Sequence, residues 1–406
     1  MKGAMEGIKV IEVAQWWFVP AAGAVLADWG ADVIKIEHPE TGDPQRGLLT
    51  SGLLPSTEGV NFMMEQSNRG KRSVGLDLAK EEGRELLYRM VEGADVFLTS
   101  FLPSARKKLG IDVEDIRAHN PDIVYVRGSG HGPLGPDADK AGYDATSFWI
   151  RTGIADIITR EDALNPTPPP GGAFGDSAGA MTIAGGIAAA LLKRERTGEP
   201  SVIDVSLLNT GMWLLSATIV ATKLLGFSWK LAGADRFSPP NPLVHTYKTK
   251  DDRWLMFNML QADRYWKHFC EAIGHPELID DERFCNDEVR NENKPACVQA
   301  LDDIIATATL DEWRVRLADF DGAWAPMQNA YEIHSDADAL ANGYLPELHT
   351  AEGAPFTLVT SPVQFDESWP ELVPAPDHGE HTDEVLLELG LTWDELIELK
   401  AAAAVL

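Results

Sequence analysis

In this 406-residue chain the side chain best placed to do chemistry is Asp176. It stands in the run Gly172-Ala-Phe-Gly-Asp176-Ser-Ala-Gly-Ala-Met-Thr-Ile-Ala-Gly-Gly-Ile-Ala-Ala-Ala-Leu-Leu192, where a Pro/Gly-rich loop gives way to a long helix of small residues. A carboxylate there has two readings. As an N-cap, its oxygen accepts from free amides of the first turn, and the helix dipole stabilises its anion. As a nucleophile, it attacks a carbonyl whose oxyanion those same amides hold. On local pattern alone the cap is the simpler reading, because caps are common and carboxylate nucleophiles rare. Other reactive types form no pattern. Cys270, Cys285 and Cys297 are odd in number and lack metal-ligand spacing, which predicts a reducing compartment and no structural zinc. The first βα turn lacks GxGxxG, and neither GxxxxGK[ST] nor HExxH occurs. No serine nucleophile elbow is expected.

Asp and Glu total 63 against 35 Lys and Arg, a formal charge of -28. Such a surface repels nucleic acid and anionic membranes, so neither is an expected partner. An anionic ligand then needs a local basic patch. Two occur early, Arg69-Gly-Lys71-Arg72 and Arg106-Lys107-Lys108, each open to the plainer reading of solvated surface. The N-terminus has no apolar signal core, and the apolar stretches Ala178–Leu192 and Val205–Leu225 read as buried helices. A cytoplasmic location is the expectation.

The elements that must position Asp176 alternate. Ile8–Val13 reads as a strand, Ala21–Trp29 as a helix and Asp32–Glu37 as a strand. Ser73–Leu78, Asp95–Thr99, Ile123–Arg127 and Ser201–Val205 are further strands, with a helix over Lys80–Val91. This βαβ pattern predicts an α/β fold with a mostly parallel sheet and right-handed crossovers. Residues 162–172 form a loop, and 246–258 a hairpin turning at Lys250-Asp-Asp252. The expected organisation is a large domain over 1–225, a small domain over 226–330, and a segment over 331–406 that ends in a helix at Trp393–Ala403.

Several blocks together resemble the class III coenzyme A-transferase family, which also includes the α-methylacyl-CoA racemases. They are Gly7–Val13 with Leu26–Glu37, Asn68-Arg-Gly-Lys-Arg-Ser73, Gly128–Pro136, Ala141-Gly-Tyr-Asp144, Gly175-Asp176, Lys193–Gly198 and His378–Leu386. The resemblance spans nearly the whole chain. It implies a Rossmann-like large domain, a smaller α+β domain, and an interlocked homodimer. It makes Asp176 the nucleophile that takes CoA from an acyl-CoA and passes it to a carboxylic acid acceptor, with no metal. It gives Asp144 an assisting role. It places coenzyme A near His38, Leu76, Ser100, Phe101, Lys108, Lys140 and Tyr143.

Departures from the family pattern bear on the substrate. Thr99-Ser-Phe-Leu-Pro-Ser104 alters the nucleotide contact, and Trp16-Trp17-Phe18 brings bulky aromatics to what is the acyl border in relatives. Racemases need a base on each face of an α-carbon. The positions that carry them in that branch are here Tyr143 and Gln261, neither a credible base at neutral pH. The transferase reading is therefore preferred over a racemase, and over a CoA-binding protein without catalysis.

Overall fold

The computed structural model describes residues 3–52, 57, 59–231, 233, 235–350 and 353–406. These fall into two compact units, one of Met1–Thr159, Ala163–Trp229 and Ala341–Leu406, the other of Arg160–Asp162 and Lys230–Leu340.

In the larger unit six strands are β1 (Lys9–Val13), β2 (Asp32–Glu37), β3 (Arg72–Gly75), β4 (Val96–Thr99), β5 (Val124–Ser129) and β6 (Val202–Ser206). They form one sheet in the order β3-β2-β1-β4-β5-β6, every neighbouring pair parallel. The connections carry α1 (Phe18–Asp28), α2 (Phe62–Asn68), α3 (Glu81–Glu92), α4 (Pro103–Leu109), α5 (Val113–His119), α6 (Ile154–Ile158) and α7 (Phe174–Thr197). After β6 come α8 (Leu207–Leu214) and α9 (Ser216–Leu225). Alternate β1 residues serve opposite faces. Val10 packs in one core with Leu26, Val126 and Ile183, and Ile11 in another with Leu87, Phe97 and Ile116. A sheet covered on both faces needs mainly apolar strands, and Val96–Leu98 and Val124–Val126 are such runs.

Small residues set how closely α7 lies on α1. A Cβ on Gly179 would sit 2.3 Å from Phe18 Cε2, so only glycine fits there. By length and composition α7 is the one helix among the described residues apolar enough to span a membrane, but its Ala180, Ile183, Ala184 and Ile187 are buried in the core.

Three sequence expectations need correction. The strand at 73–78 stops at Gly75, because Leu76 instead pairs antiparallel with Val405 at the chain's end. The apolar run 205–225 is not one buried helix. It breaks into α8 and α9, bent by 72° at Leu215, and no residue of α9 is buried. The first basic patch is spent internally. Arg69 pairs with Asp28, Lys71 with Glu12, and Arg72 with Asp32, Glu384 and Glu388.

The smaller unit has its own antiparallel sheet of β7 (Val244–Lys248), β8 (Trp254–Asn258) and β9 (Trp324–Pro326). The β7–β8 hairpin turns through Asp252 at a φ of 58°. Helices between Ala262 and Arg316 pack on this sheet around Tyr247, Phe257, Phe269 and Trp313.

Candidate active site

Chain order reverses between β1 and β4, and in open α/β sheets ligands bind beyond the carboxyl ends of the strands at that point. Two adjoining cavities lie there. One of about 240 Å³ is lined by residues following β1, β2 and β3, among them His38, Thr41, Leu76 and Asp77. The other, of about 270 Å³, is lined by Trp16, Phe18, Ser100, Tyr143 and Asp176. Gln15 and Phe101 line both, so the two spaces meet across these side chains. The Gln15 amide donates to Ser100 Oγ at 3.0 Å and ties the β1 loop to the β4 loop at the junction.

Asp176 is not the cap of α7. The N-cap is Ala173, in the left-handed region at a φ of 62°, and Asp176 is the third helical residue, within the first turn. Capping is done from elsewhere in the chain. Asp144 accepts from the Phe174 amide at 3.1 Å and the Gly175 amide at 2.8 Å, through its two oxygens. Gly175 is needed for this approach, since a Cβ there would sit 2.5 Å from Asp144 Oδ1 and 2.2 Å from Phe148 Cγ. Asp144 thus caps α7 from well before it in the chain. The expectation that free first-turn amides cradle an oxyanion is corrected, because Phe174 and Gly175 are committed to Asp144.

Asp176 itself is left without relief. Its Oδ1 is shut off from solvent and has no hydrogen-bond partner. Burial, and then the nearby Asp144 charge, push its carboxyl up from 3.8 to about 7. Asp144 is also raised by burial, although the Gly175, Phe174 and Asp176 amides hold it down. A half-buried carboxyl of raised pKa in a cleft is a functional-site signature.

Aromatics frame this carboxyl. Trp16 holds a φ of 69°, uncommon for a bulky residue, while its amide donates to Asp43 Oδ1 at 3.1 Å. Its ring meets Tyr143 edge-on, with centroids 6.0 Å apart. Trp17 donates through Nε1 to Ser177 Oγ at 3.0 Å. Gly175-Asp-Ser-Ala-Gly179 does spell GxSxG, the pattern of a serine nucleophile elbow. Ser177 is no elbow serine: it lies inside the helix, donates to Ala173 O at 2.9 Å, and has no histidine partner among the described residues.

Of the residues singled out from sequence, the structure brings His38, Leu76 and Phe101 to the first cavity and Ser100, Phe101, Tyr143 and Asp176 to the second. Lys108 and Lys140 line neither. Lys108 is exposed in the last turn of α4, and Lys140 pairs with Asp137 at 2.7 Å. Sequence reading missed a buried charge cluster behind the first cavity. Lys35 pairs with Glu12 at 3.2 Å and Asp43 at 2.9 Å, Lys71 with Glu12 at 2.9 Å, and Arg46 with Glu37 at 2.7 Å. The one available signal was the charge placed inside otherwise apolar strands, Glu12 in β1 and Lys35 in β2. Among the described residues no group of three or more His, Cys, Asp or Glu is arranged to hold a metal ion.

A doubly covered parallel sheet, with two adjoining cavities at its order reversal and an Asp176 carboxyl oxygen left without a partner in the wall of one, has the layout of an α/β enzyme whose ligand lies along the carboxyl ends of the strands. The family model for CoA-transferase family III matches residues 5–382, and the chain belongs to that family. It is an acyl-CoA:carboxylate CoA-transferase. Similar curated proteins include the cinnamoyl-CoA:phenyllactate CoA-transferase of Clostridium sporogenes, 34% identical over 97% of this chain and 95% of that one. The (R)-2-hydroxy-4-methylpentanoate CoA-transferase of Clostridioides difficile is 32% identical over 99% of each. Among solved structures, a CaiB/BaiF family protein from Brucella suis aligns with a TM-score of 0.80 at 29% identity, covering 96% of this chain and all of that one.

Proposed function

We propose that Asp176 is the nucleophile of this CoA-transferase. The observation that carries the reading is the unpartnered Asp176 carboxyl at the inner end of the paired cavities. The nucleotide end of acyl-CoA lies against His38, Leu76 and Phe101, and the thioester reaches Asp176 past Ser100 and Tyr143. Lys108 and Lys140, exposed and outside the cavities, meet the phosphates.

An Asp176 oxygen attacks the thioester carbonyl and expels CoA thiolate, forming a mixed anhydride. The thiolate then attacks the aspartyl carbonyl, leaving an Asp176–CoA thioester and the free acid. An acceptor carboxylate takes CoA by the reverse steps. Binding along the crevice supplies the proximity a weak carboxylate nucleophile needs. Asp144 positions the helix start and keeps Asp176 poorly stabilised as an anion, which raises its basicity.

The relatives' names, with their cinnamoyl, phenyllactate and 2-hydroxy-4-methylpentanoate groups, support an aryl or branched acyl group here. The enzyme works in the cytoplasm as a homodimer. Exposed Trp213, Val220 and Leu224 on α8 and α9 support a partner surface there. The test is mass spectrometry of acid-quenched enzyme after incubation with acyl-CoA. A CoA adduct is expected on the peptide carrying Asp176 and none on Asp176→Ala. Full transfer by Asp176→Ala would remove the assignment.

A further inference from the structure

A third cavity, of about 750 Å³, lies on the neighbouring side of the start of α7. Its walls and those of the Asp176 space are consecutive residues on two elements. On α7, Asp176 lines one and Ser177 the other; on the β1–α1 segment, Trp16 and Phe18 line one and Trp17 the other. The Trp17–Ser177 hydrogen bond, 3.0 Å long, therefore stands at the boundary between them. The size lies within the range of small-molecule sites, about 300–1,000 Å³.

The chemistry of the lining is apolar where it is free. Phe62, Met63, Met181 and Leu358 contribute hydrocarbon and thioether surface from α2, α7 and the returning C-terminal segment. The polar side chains are mostly engaged already. Arg69 is bidentate to Asp28, and both Gln66 amide atoms bond to the Val359 backbone. Thr357 and Thr360 add hydroxyl-bearing side chains on the C-terminal wall, where Ser361 Oγ lies buried without a partner. A chamber with mainly apolar walls and threonines along one side suits a bulky hydrocarbon group bearing at most a small polar substituent.

We propose that this chamber is the acyl-group site: the acyl chain, held at its carbonyl by Asp176, extends past the Trp17–Ser177 pair to lie between α2 and α7. The proposal rests on the reading of Asp176 as the site of attack. It predicts a preference for aryl or branched acyl groups over acetyl, set by Met63 and Met181 from opposite walls and not by the CoA crevice. Met residues suit this, since their flexible thioethers adapt to ligand shape.

The test is equilibrium binding of two uncleavable dethia-CoA ketones, 3-phenylpropanoyl and acetyl, to the full chain. Wild type is expected to bind the phenylpropanoyl analogue at least about tenfold more tightly, the worth of burying about two methylenes. Met181→Trp and Met63→Trp, which fill the chamber from different elements, are each expected to erase that advantage while leaving acetyl affinity within about twofold. Equal affinity of both analogues for wild type would overturn the proposal. So would an advantage that survives either filling variant, once circular dichroism has shown that variant folded. Asp176→Ala separates the two readings. Transfer that persists in it sinks the nucleophile assignment, whereas the size preference in binding is expected to survive it.

Discussion

Two groups of buried carboxylates lie at the carboxyl end of the same sheet, and they are treated in opposite ways. Behind the first cavity Glu12, Glu37 and Asp43 are matched by Lys35, Lys71 and Arg46 in a set of ion pairs. Although burial works against it, the Arg46 guanidinium and Lys35 hold the Glu37 carboxyl down at about 2. Lys35, buried as well, is held above its usual value by Asp43 and Glu12. At the start of α7 two acids lie close to each other, and backbone amides serve one of them only. Asp144 takes the amides and Asp176 is left to rise to about 7. The fold can satisfy buried acids and does so where they hold strands together. Leaving Asp176 unsatisfied places a reactive group where stability is lost to hold it.

The sharpest way to break this comparison is Asp176→Asn, which keeps size and removes charge. Transfer is expected to fall by about 10^4-fold, as for loss of a covalent nucleophile, read as kcat with any competent acyl-CoA and acid pair. The same substitution is expected to stabilise the fold. A carboxyl moved from 3.8 to about 7 binds its proton more tightly in the native state, so native stability declines as pH rises between those values. The advantage of the Asn variant is therefore absent below about pH 4, grows through pH 7, and levels off near about 4 kcal/mol at most. Chemical denaturation at pH 4, 6 and 8 reads it directly. A variant that is less stable than wild type at pH 8 would show that Asp176 has a partner in solution.

The matched cluster is expected to answer with the other sign. Glu12→Gln takes the negative charge from between Lys35 and Lys71, whose ammonium groups both contact it. Both lysines are wholly buried, and burial already pushes Lys71 down against the pull of Glu12. Stranding buried cations costs about 3–5 kcal/mol. The loss is expected in urea midpoints near neutral pH. If activity per folded molecule also falls by more than a few-fold, the cluster serves the chemistry through Asp43 and Trp16 as well as the fold. The low Glu37 value fixes the acid limit of this stabilisation. It is fully present above about 4.5 and is lost as pH falls toward about 2.

How much of this was legible beforehand follows the same division. The parallel sheet was legible, because doubly covered strands such as Val96–Leu98 and Val124–Val126 must read as apolar runs and the helices between them as periodic ones. Asp176 was legible only through its neighbours in sequence, Gly175 and the small residues that follow. What it does not hydrogen-bond to was not. That depends on Asp144 arriving from 32 residues earlier and displacing it as the cap, a long-range event no local pattern records. The exposed α8–α9 segment was misread for a related reason. Apolar composition reports that a surface seeks cover but not whether its own chain provides it. Arg69, Lys71 and Arg72 looked like an anion site until their acidic partners were placed opposite them.

The smallest effect gives the finest test of why Asp144 sits where it does. In Asp144→Asn the side chain still reaches α7, but it carries no charge and offers one acceptor oxygen where the two amides now have one each. Burial, the larger cause of the raised Asp176 carboxyl, remains; the like charge does not. The apparent pKa of kcat/KM, which reports the free enzyme, is therefore expected near 7 in wild type and lower in the variant. The sign matters more than the size. Above pH 8 Asp176 is ionised in both proteins, so any remaining difference in kcat/KM measures how far the helix start has moved and how much nucleophilicity fell with basicity. Below pH 6 the variant holds more of its Asp176 as carboxylate, so its relative rate should be higher than at pH 8. A profile that keeps the wild-type pKa while dropping at every pH would make Asp144 only a cap, and the contrast with the matched cluster would then rest on burial alone.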